Sequence, residues 1–215
     1  MTSPAASQPA SRRDELLELA ATMFAERGLR ATTVRDIADS AGILSGSLYH
    51  HFKSKEQMVE EVLRDFLDWL FGRYQEIVDI EPNPLERFKG LFMASFEAIA
   101  DRHAQVVIYQ DEAKRLSAQP QFDFVEARNK EQRKMWLDVL NQGIEEGHFR
   151  PDIDVDLVYR FIRDTTWVSV RWYQPGGPLT AEQVGRQYLA IVLGGITAAD
   201  ERLREENQTS ASEGD

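Results

Sequence analysis

The sequence predicts an all-α protein of about nine helices. Three observations carry that reading. Apolar residues recur at helical spacing along most of the 215 residues, and no stretch alternates as a half-buried strand would. Several of these runs open on Ser or Thr three places before Asp or Gln, the spacing of a capping box. Pro and Gly clusters cut the chain at intervals of helical length.

The first helix runs from about Ser11 to Arg27. Ser11 and Asp14 have the box spacing, Leu16, Leu17, Ala20, Ala21 and Phe24 share a face, and Gly28 follows as a C-cap. Thr33 and Asp36 repeat the spacing, so a short helix starts near Val34 with Ile37, Ala38 and Ala41 turned inward. Gly42 ends it in the left-handed region, Ile43 and Leu44 fill the elbow, and Ser45 caps a third helix that buries Leu48 and Phe52. Ser54 to Gln57 is another box and opens a longer helix, with Met58, Val62, Phe66, Leu67, Leu70 and Phe71 on its buried side. Glu81-Pro-Asn-Pro84 breaks that helix. Further helices are expected over roughly 84–103, 104–118, 121–147, 154–173 and 180–204, separated by Pro120, Gly147-His-Phe-Arg-Pro151 and Gln174-Pro-Gly-Gly-Pro178. Residues 1–10 and 205–215 read as disordered tails, which leaves units at 11–55 and 56–204.

Composition narrows the function. Without cysteine there are no disulfides, thiolate metal sites or cysteine nucleophiles. The N-terminal MTSPAASQPASRR has no apolar signal-peptide core, and the apolar run LAIVLGGITAA is too short to span a bilayer, so the reading is a cytoplasmic protein with no membrane partner. The net charge of −11 argues against nucleic acid for the chain as a whole, because phosphate contacts need Lys and Arg. The charge is uneven, however. Residues 1–55 carry seven Lys and Arg against six Asp and Glu, whereas the remaining 160 carry 18 against 30. A nucleic-acid role stays open for the first unit alone.

Within that unit, helix, Gly-containing turn and short helix form a helix-turn-helix pattern. Such a second helix enters the major groove with its N-terminal end foremost. Its exposed residues are expected to be Ser45, Gly46, Ser47, Tyr49 and His50, with Lys53 just beyond. Small residues at 45–47 let backbone N–H groups approach phosphate or base edges. Tyr49, Lys53 and Lys55 reach phosphates, and the rings pack on sugar and thymine methyls. The competing reading is a tight corner in a helical bundle. Three successive caps, two flanking lysines and local positive charge favour DNA.

The stretch LRATTVRDIADSAGILSGSLYHHFKSKEQM resembles the DNA-binding domain of the TetR family of bacterial repressors, matching it at Thr33, Asp36-Ile-Ala, Ala41-Gly42, Leu48-Tyr49, Phe52 and Lys55. HAQVVIYQDEA, VLNQGIEEG, DLVYRFIRDTTWVSVRWY and PGGPLTAEQVG are similar to the second group of KstR-type cholesterol-catabolism regulators of actinobacteria, over roughly Ser11 to Thr197. This resemblance implies a homodimeric repressor on double-stranded operator DNA, with Thr33 among its DNA-contacting residues and without a cofactor, controlling genes that degrade the last two sterol rings. The implied effector is the CoA thioester of a hexahydroindanedione propionate.

Residues 154–173 read as mostly apolar all round, hence as a helix largely buried or at an interface, yet they hold Arg160, Arg163 and Arg171. A buried arginine needs a partner, and Arg163 shares a face with Trp167. That partner is either internal (Asp111, Glu112 or Asp164) or a ligand. With the resemblance, Arg163 is expected to donate to the ligand's polar groups and Trp167 to wall its rings, with Tyr109 and Gln110 as further lining. Met93, Phe96 and Trp136 read as core. The last two helices are expected to form the dimer, with Val184, Tyr188, Ile191 and Val192 as a seam and Gly194-Gly195 allowing close approach.

Catalytic and metal sites are not expected. The four histidines lack metal spacing, Gly42 to Gly46 has its serine one place late for a nucleophile elbow, and no P-loop or dinucleotide fingerprint occurs. Arg12-Arg13 is a weak candidate for a minor-groove arm. The rivals are an all-α acyl-CoA enzyme, for which Glu112 is the one plausible base, and a sensor of cationic drugs. The arginines at 160–171 argue against the second.

Overall fold

The computed structural model describes residues 11–116 and 119–198, so both expected tails and the expected helical turns at 199–204 lie outside the described residues. Nine α-helices occur among the described residues: α1 (Arg12–Arg27), α2 (Val34–Ser40), α3 (Ser45–His51), α4 (Lys55–Ile80), α5 (Pro84–Asp101), α6 (His103–Leu116), α7 (Asp123–Glu145), α8 (Val155–Val168) and α9 (Ala181–Ile196). Short 3-10 turns occupy Pro120–Phe122 and Ser169–Arg171. One isolated antiparallel bridge pairs Phe149 with Thr197 and ties the α7–α8 connection to the end of α9.

Helix starts follow the predicted caps in most places. At Ser11/Asp14 and Thr33/Asp36 both halves of the box form, with the first side chain accepting from the third residue's backbone N–H and the third side chain accepting in return. Ser54 makes only half a box. Its hydroxyl accepts from Gln57 N, but the Gln57 carboxamide accepts from Lys53 N instead. The α3 start also differs from expectation. Leu44 is the N-cap residue and is 81% exposed rather than filling the elbow, and Ser45 is already helical. Gly42 does take φ +67°, which lets the chain turn sharply between α2 and α3.

The N-terminal unit is closed by Phe24, Ile37, Ala38, Leu48 and Phe52, all buried. It is not a free-standing body. The 26-residue α4 packs on α1 and also on α5, α6 and α7, and α6 packs on α1. In the larger unit, Phe88, Phe92 and Phe96 lie four apart on α5 and form an aromatic row. Phe92 stacks on Phe96 at 5.6 Å, and Phe88 meets Trp136 and Phe149 edge-on. Helix α9 crosses α5 closely because Gly185 lies against the Phe96 ring.

Candidate DNA-binding and effector sites

Helix α3 is held by its underside, Leu48 and Phe52, while Gly46, Ser47, Tyr49 and His50 are exposed and Ser45 is half-buried. Lys53 is exposed just past its end. This is a narrow face of small groups flanked by a phenol, an imidazole and an ammonium, the set that a groove-entering helix needs. Two expected contacts are otherwise engaged. Thr33 spends its hydroxyl on the α2 cap, donating to Asp36 at 2.6 Å. The Lys55 ammonium donates to the carbonyls of Leu29 at 2.6 Å and Thr32 at 2.9 Å. Lys55 therefore pins the α1–α2 connection to the start of α4 rather than pointing away from the protein. Arg12 and Arg13 are also tied down. Arg12 donates to the Ala41 carbonyl, and Arg13 pairs with Glu61 while lying over the Phe52 ring.

The second site is an open cleft between α6, α7 and α8, about 600 Å³ in volume. Tyr109 and Gln110 of α6 and Arg163 and Trp167 of α8 all line it, so the four candidates separated by up to 58 positions in sequence meet in one space. The other lining comes from α7, through Val125, Asn129, Gln132 and Arg133 among others, and from Tyr159 of α8. Nothing in the sequence reading singled out α7. Its polar stripe at 126, 129, 130 and 133 resembles an ordinary solvated helix face.

The floor of the cleft is aromatic. Trp167 meets Phe66 of α4 edge-on at 6.3 Å and Tyr109 at 6.2 Å, and Phe66 lies 5.9 Å from Tyr109. The Tyr109 hydroxyl donates to Asn129 at 2.6 Å, and burial pushes its pKa up to about 12, so it remains a neutral donor and acceptor at physiological pH. The rim is charged. Lys130 pairs with Glu126 at 2.6 Å, Arg133 with Asp156, and Arg163 with its neighbour Asp164 at 2.7 Å. The internal-partner alternative for Arg163 is thus realised by Asp164, while the guanidinium still lines the cleft. Arg160, Arg163 and Arg171 are exposed, not buried, and Arg171 meets Asp111 at 3.3 Å. Glu112 is paired with Arg115 and is absent from the cleft lining.

Helix α8 is amphipathic rather than apolar all round. Tyr159, Ile162, Thr166 and Trp167 face inward, whereas Leu157 and Phe161 are 64% and 60% exposed. Val168, Trp172, Leu179 and Ile191 are exposed too, the last on α9. The seam expected on α9 mixes two faces. Val184 and Val192 are buried within the chain and Tyr188 packs on Phe96, so Ile191 alone of the four faces solvent. Gly194 and Gly195 have nothing within 4 Å of an added Cβ.

Among the described residues, no cluster of His, Cys, Asp or Glu could hold a metal, and no helix is long and apolar enough to cross a membrane.

Residues 16–62 match the family model for bacterial regulatory proteins of the tetR family, and residues 81–196 match the tetracyclin repressor-like C-terminal domain. The chain is 85% identical over 191 residues to the HTH-type transcriptional repressor KstR2 of Mycolicibacterium smegmatis, covering 89% of this chain and 93% of that one. It is 56% identical over 201 residues to the repressor of the same name from Rhodococcus jostii, covering 92% and 98%. The solved structure of the ketosteroid transcriptional regulator KstR2 of Mycobacterium tuberculosis superposes with a TM-score of 0.87 at 80% identity, covering 90% of this chain and 99% of that one.

Proposed function

The chain belongs to the tetR family of transcriptional repressors, and on that premise we propose that it binds operator DNA as a homodimer and releases it when a CoA thioester of a sterol-ring fragment fills the α6–α7–α8 cleft. The observation that carries this reading is the cleft itself. Its volume is that of a small-molecule site, its floor is aromatic, and three cations stand on its rim. Fused rings suit the Trp167–Tyr109 floor. The CoA phosphates suit Lys130, Arg133 and Arg163, whose present carboxylate partners are exposed and can be displaced at small cost. The description of the solved Mycobacterium tuberculosis relative as a ketosteroid regulator supports a ring ketone as the ligand class. We take the effector to be the thioester of hexahydroindanedione propionate.

Two copies pair through the exposed apolar side chains of α8 and α9, Leu157, Phe161 and Ile191 in particular, which otherwise stand in water. Pairing sets two α3 helices about 34 Å apart on successive major grooves. Gly46, Ser47, Tyr49, His50 and Lys53 make the contacts. Ligand acts by binding the DNA-incompetent spacing more tightly than the competent one, and full switching requires roughly a 10⁴-fold preference.

The test is a gel shift with promoter DNA from the gene's own neighbourhood at physiological salt, with the thioester and with the free acid as control. Release by the thioester alone is expected. Binding without release would overturn the effector, and absence of binding would overturn the operator assignment.

A further inference from the structure

Behind the cleft lies a second, smaller and more closed space that the function above does not use. Gln132, Tyr159, Arg163 and Trp167 line both, so those four side chains form the partition between them. The inner space is about 10 Å³, room for one oxygen-sized atom and no more. Two of the groups around it are unusual. Trp136 is 2% exposed and Thr166 is 2% exposed, and neither the indole Nε1 nor the Thr166 Oγ1 has a hydrogen-bond partner. The polar pair nearby is already satisfied, since the Tyr74 and Ser95 hydroxyls share a hydrogen bond of 2.6 Å and Ser95 also donates to Leu91 O. The Trp136 indole contributes to the polar surroundings of Tyr74, but no hydrogen bond of normal geometry joins them.

A buried indole N–H is a donor only, and leaving it unmet is costly. A threonine hydroxyl on a helix ordinarily donates to the carbonyl four residues back, and Thr166 does not. Two donors without a well-formed hydrogen bond beside a space for one atom suit an acceptor. An ammonium gains nothing from the indole, and Arg163, the one charged group in the lining, is already paired with Asp164; a hydroxyl could accept here too, but a ring ketone is the acceptor that the effector reading supplies. A ketone oxygen needs two donors, carries no charge and is the right size.

We propose that this chamber is a ketone socket: a ring carbonyl of the effector enters past Trp167 and accepts from Trp136 Nε1–H and Thr166 Oγ1–H, while the rest of the ligand stays in the outer cleft. The inference rests on the effector reading above and adds to it the pair of side chains that distinguish a ring ketone from a deoxygenated ring. Neither residue touches DNA, and both lie far along the chain from α3.

Titration calorimetry with the full-length protein tests it, using the indanedione-propionate CoA thioester and the same thioester with both ring oxygens removed. The wild-type protein should prefer the diketone by about tenfold or more, the loss expected from leaving buried donors unmet. Trp136→Phe and Thr166→Val should each reduce that preference toward unity, with operator affinity unchanged in gel shifts. Thr166→Val is nearly isosteric and removes a hydroxyl with no partner, so it should unfold no more easily than wild type; it keeps the test valid if Trp136→Phe folds poorly. A preference unaltered by both substitutions, or an equal weakening of both thioesters, overturns the socket and leaves a water-filled niche. Wild-type protein that binds neither thioester overturns the effector reading and the socket together.

Discussion

Replacing Lys55 by Met removes the ammonium that donates to the Leu29 and Thr32 carbonyls while keeping the aliphatic stem. Both acceptors lie in the connection between α1 and α2, so the change frees that connection from the start of α4. A hydrogen bond to a charged group contributes about 1.5–3 kcal/mol, and the two here share one half-buried ammonium, so their losses overlap. The pair together is therefore worth about 2 kcal/mol rather than the sum. In a chain of this size that lowers the thermal midpoint by about 4–8 °C. Circular dichroism melts at one fixed protein concentration read the shift, which matters if unfolding is linked to dissociation. Lys53→Met is the control. Lys53 is exposed, so its loss should leave the midpoint within about 1 °C but lower operator affinity and reduce the salt slope by about 1. The opposite pattern, with Lys55→Met melting normally and flattening the salt dependence, would refute the structural role and restore Lys55 as a phosphate ligand.

Arg163→Met should abolish induction at effector concentrations that release wild-type protein, with unchanged operator affinity; release at the wild-type concentration would remove Arg163 from the ligand site. Phe161→Asp puts a charge in the exposed apolar face of α8 and should yield a monomer by light scattering that binds operator weakly. Gly143→Ala should destabilise, because its Cβ would lie 2.3 Å from the Phe149 ring, which is buried against Phe88. The overpacking cost of about 1–3 kcal/mol exceeds the helix-propensity gain of about 1 kcal/mol, so a denaturant midpoint at or above wild type would count against it. Asp14 and Asp36 have pKa values lowered first by the capping hydroxyls of Ser11 and Thr33 and then by backbone N–H groups. A depressed folded value means that the caps contribute fully above the ordinary Asp value of about 3.9 and are lost as pH falls through the folded value. Melts at pH 6 and pH 3 should show a smaller acid loss in Asp36→Asn than in wild type.

The sequence made local features legible and left tertiary ones hidden. Box spacings gave the starts of α1 and α2, and Gly42 gave the elbow, because each depends on residues within four positions. The grouping of Arg163 with Trp167 followed from helical spacing, but their meeting with Tyr109 and Gln110 depended on the likeness to known regulators. Periodicity alone does not tell which helix stands opposite. The same limit hid α7 as a cleft wall, since Asn129 and Arg133 carry no pattern that separates a lined cleft from bulk water. Exposure was misjudged where two faces of a helix are both apolar. On α8, Ile162 and Phe161 are adjacent and equally hydrophobic, yet one is buried and the other is 60% exposed. The internal engagement of Lys55 is hidden for a related reason: its acceptors are 23 and 26 positions away.

The contacts that separate the two sites also join them. Phe66 stands on α4 and packs on both Trp167 and Tyr109, the floor of the cleft. Eleven residues earlier α4 begins at Lys55, immediately after α3. At 1.5 Å per residue that arm is about 16 Å, so a tilt of about 10° about the Phe66 contact displaces the end next to α3 by about 3 Å. Base-edge hydrogen bonds span about 3 Å and fail over smaller errors. In a two-fold dimer the displacement applies to both halves, which alters the separation that must match one helical turn of DNA. Helix α6 adds a second route, since it lines the cleft with Tyr109 and packs on α1. A ligand pressed against Trp167 and Tyr109 therefore meets both supports of the DNA-binding unit at once. Phe66→Leu keeps the apolar contact while removing the ring edge, and it should uncouple the sites: effector affinity close to wild type by calorimetry, with weaker release of operator in gel shifts. Unchanged release in that variant would place the coupling in α6 and α1 instead.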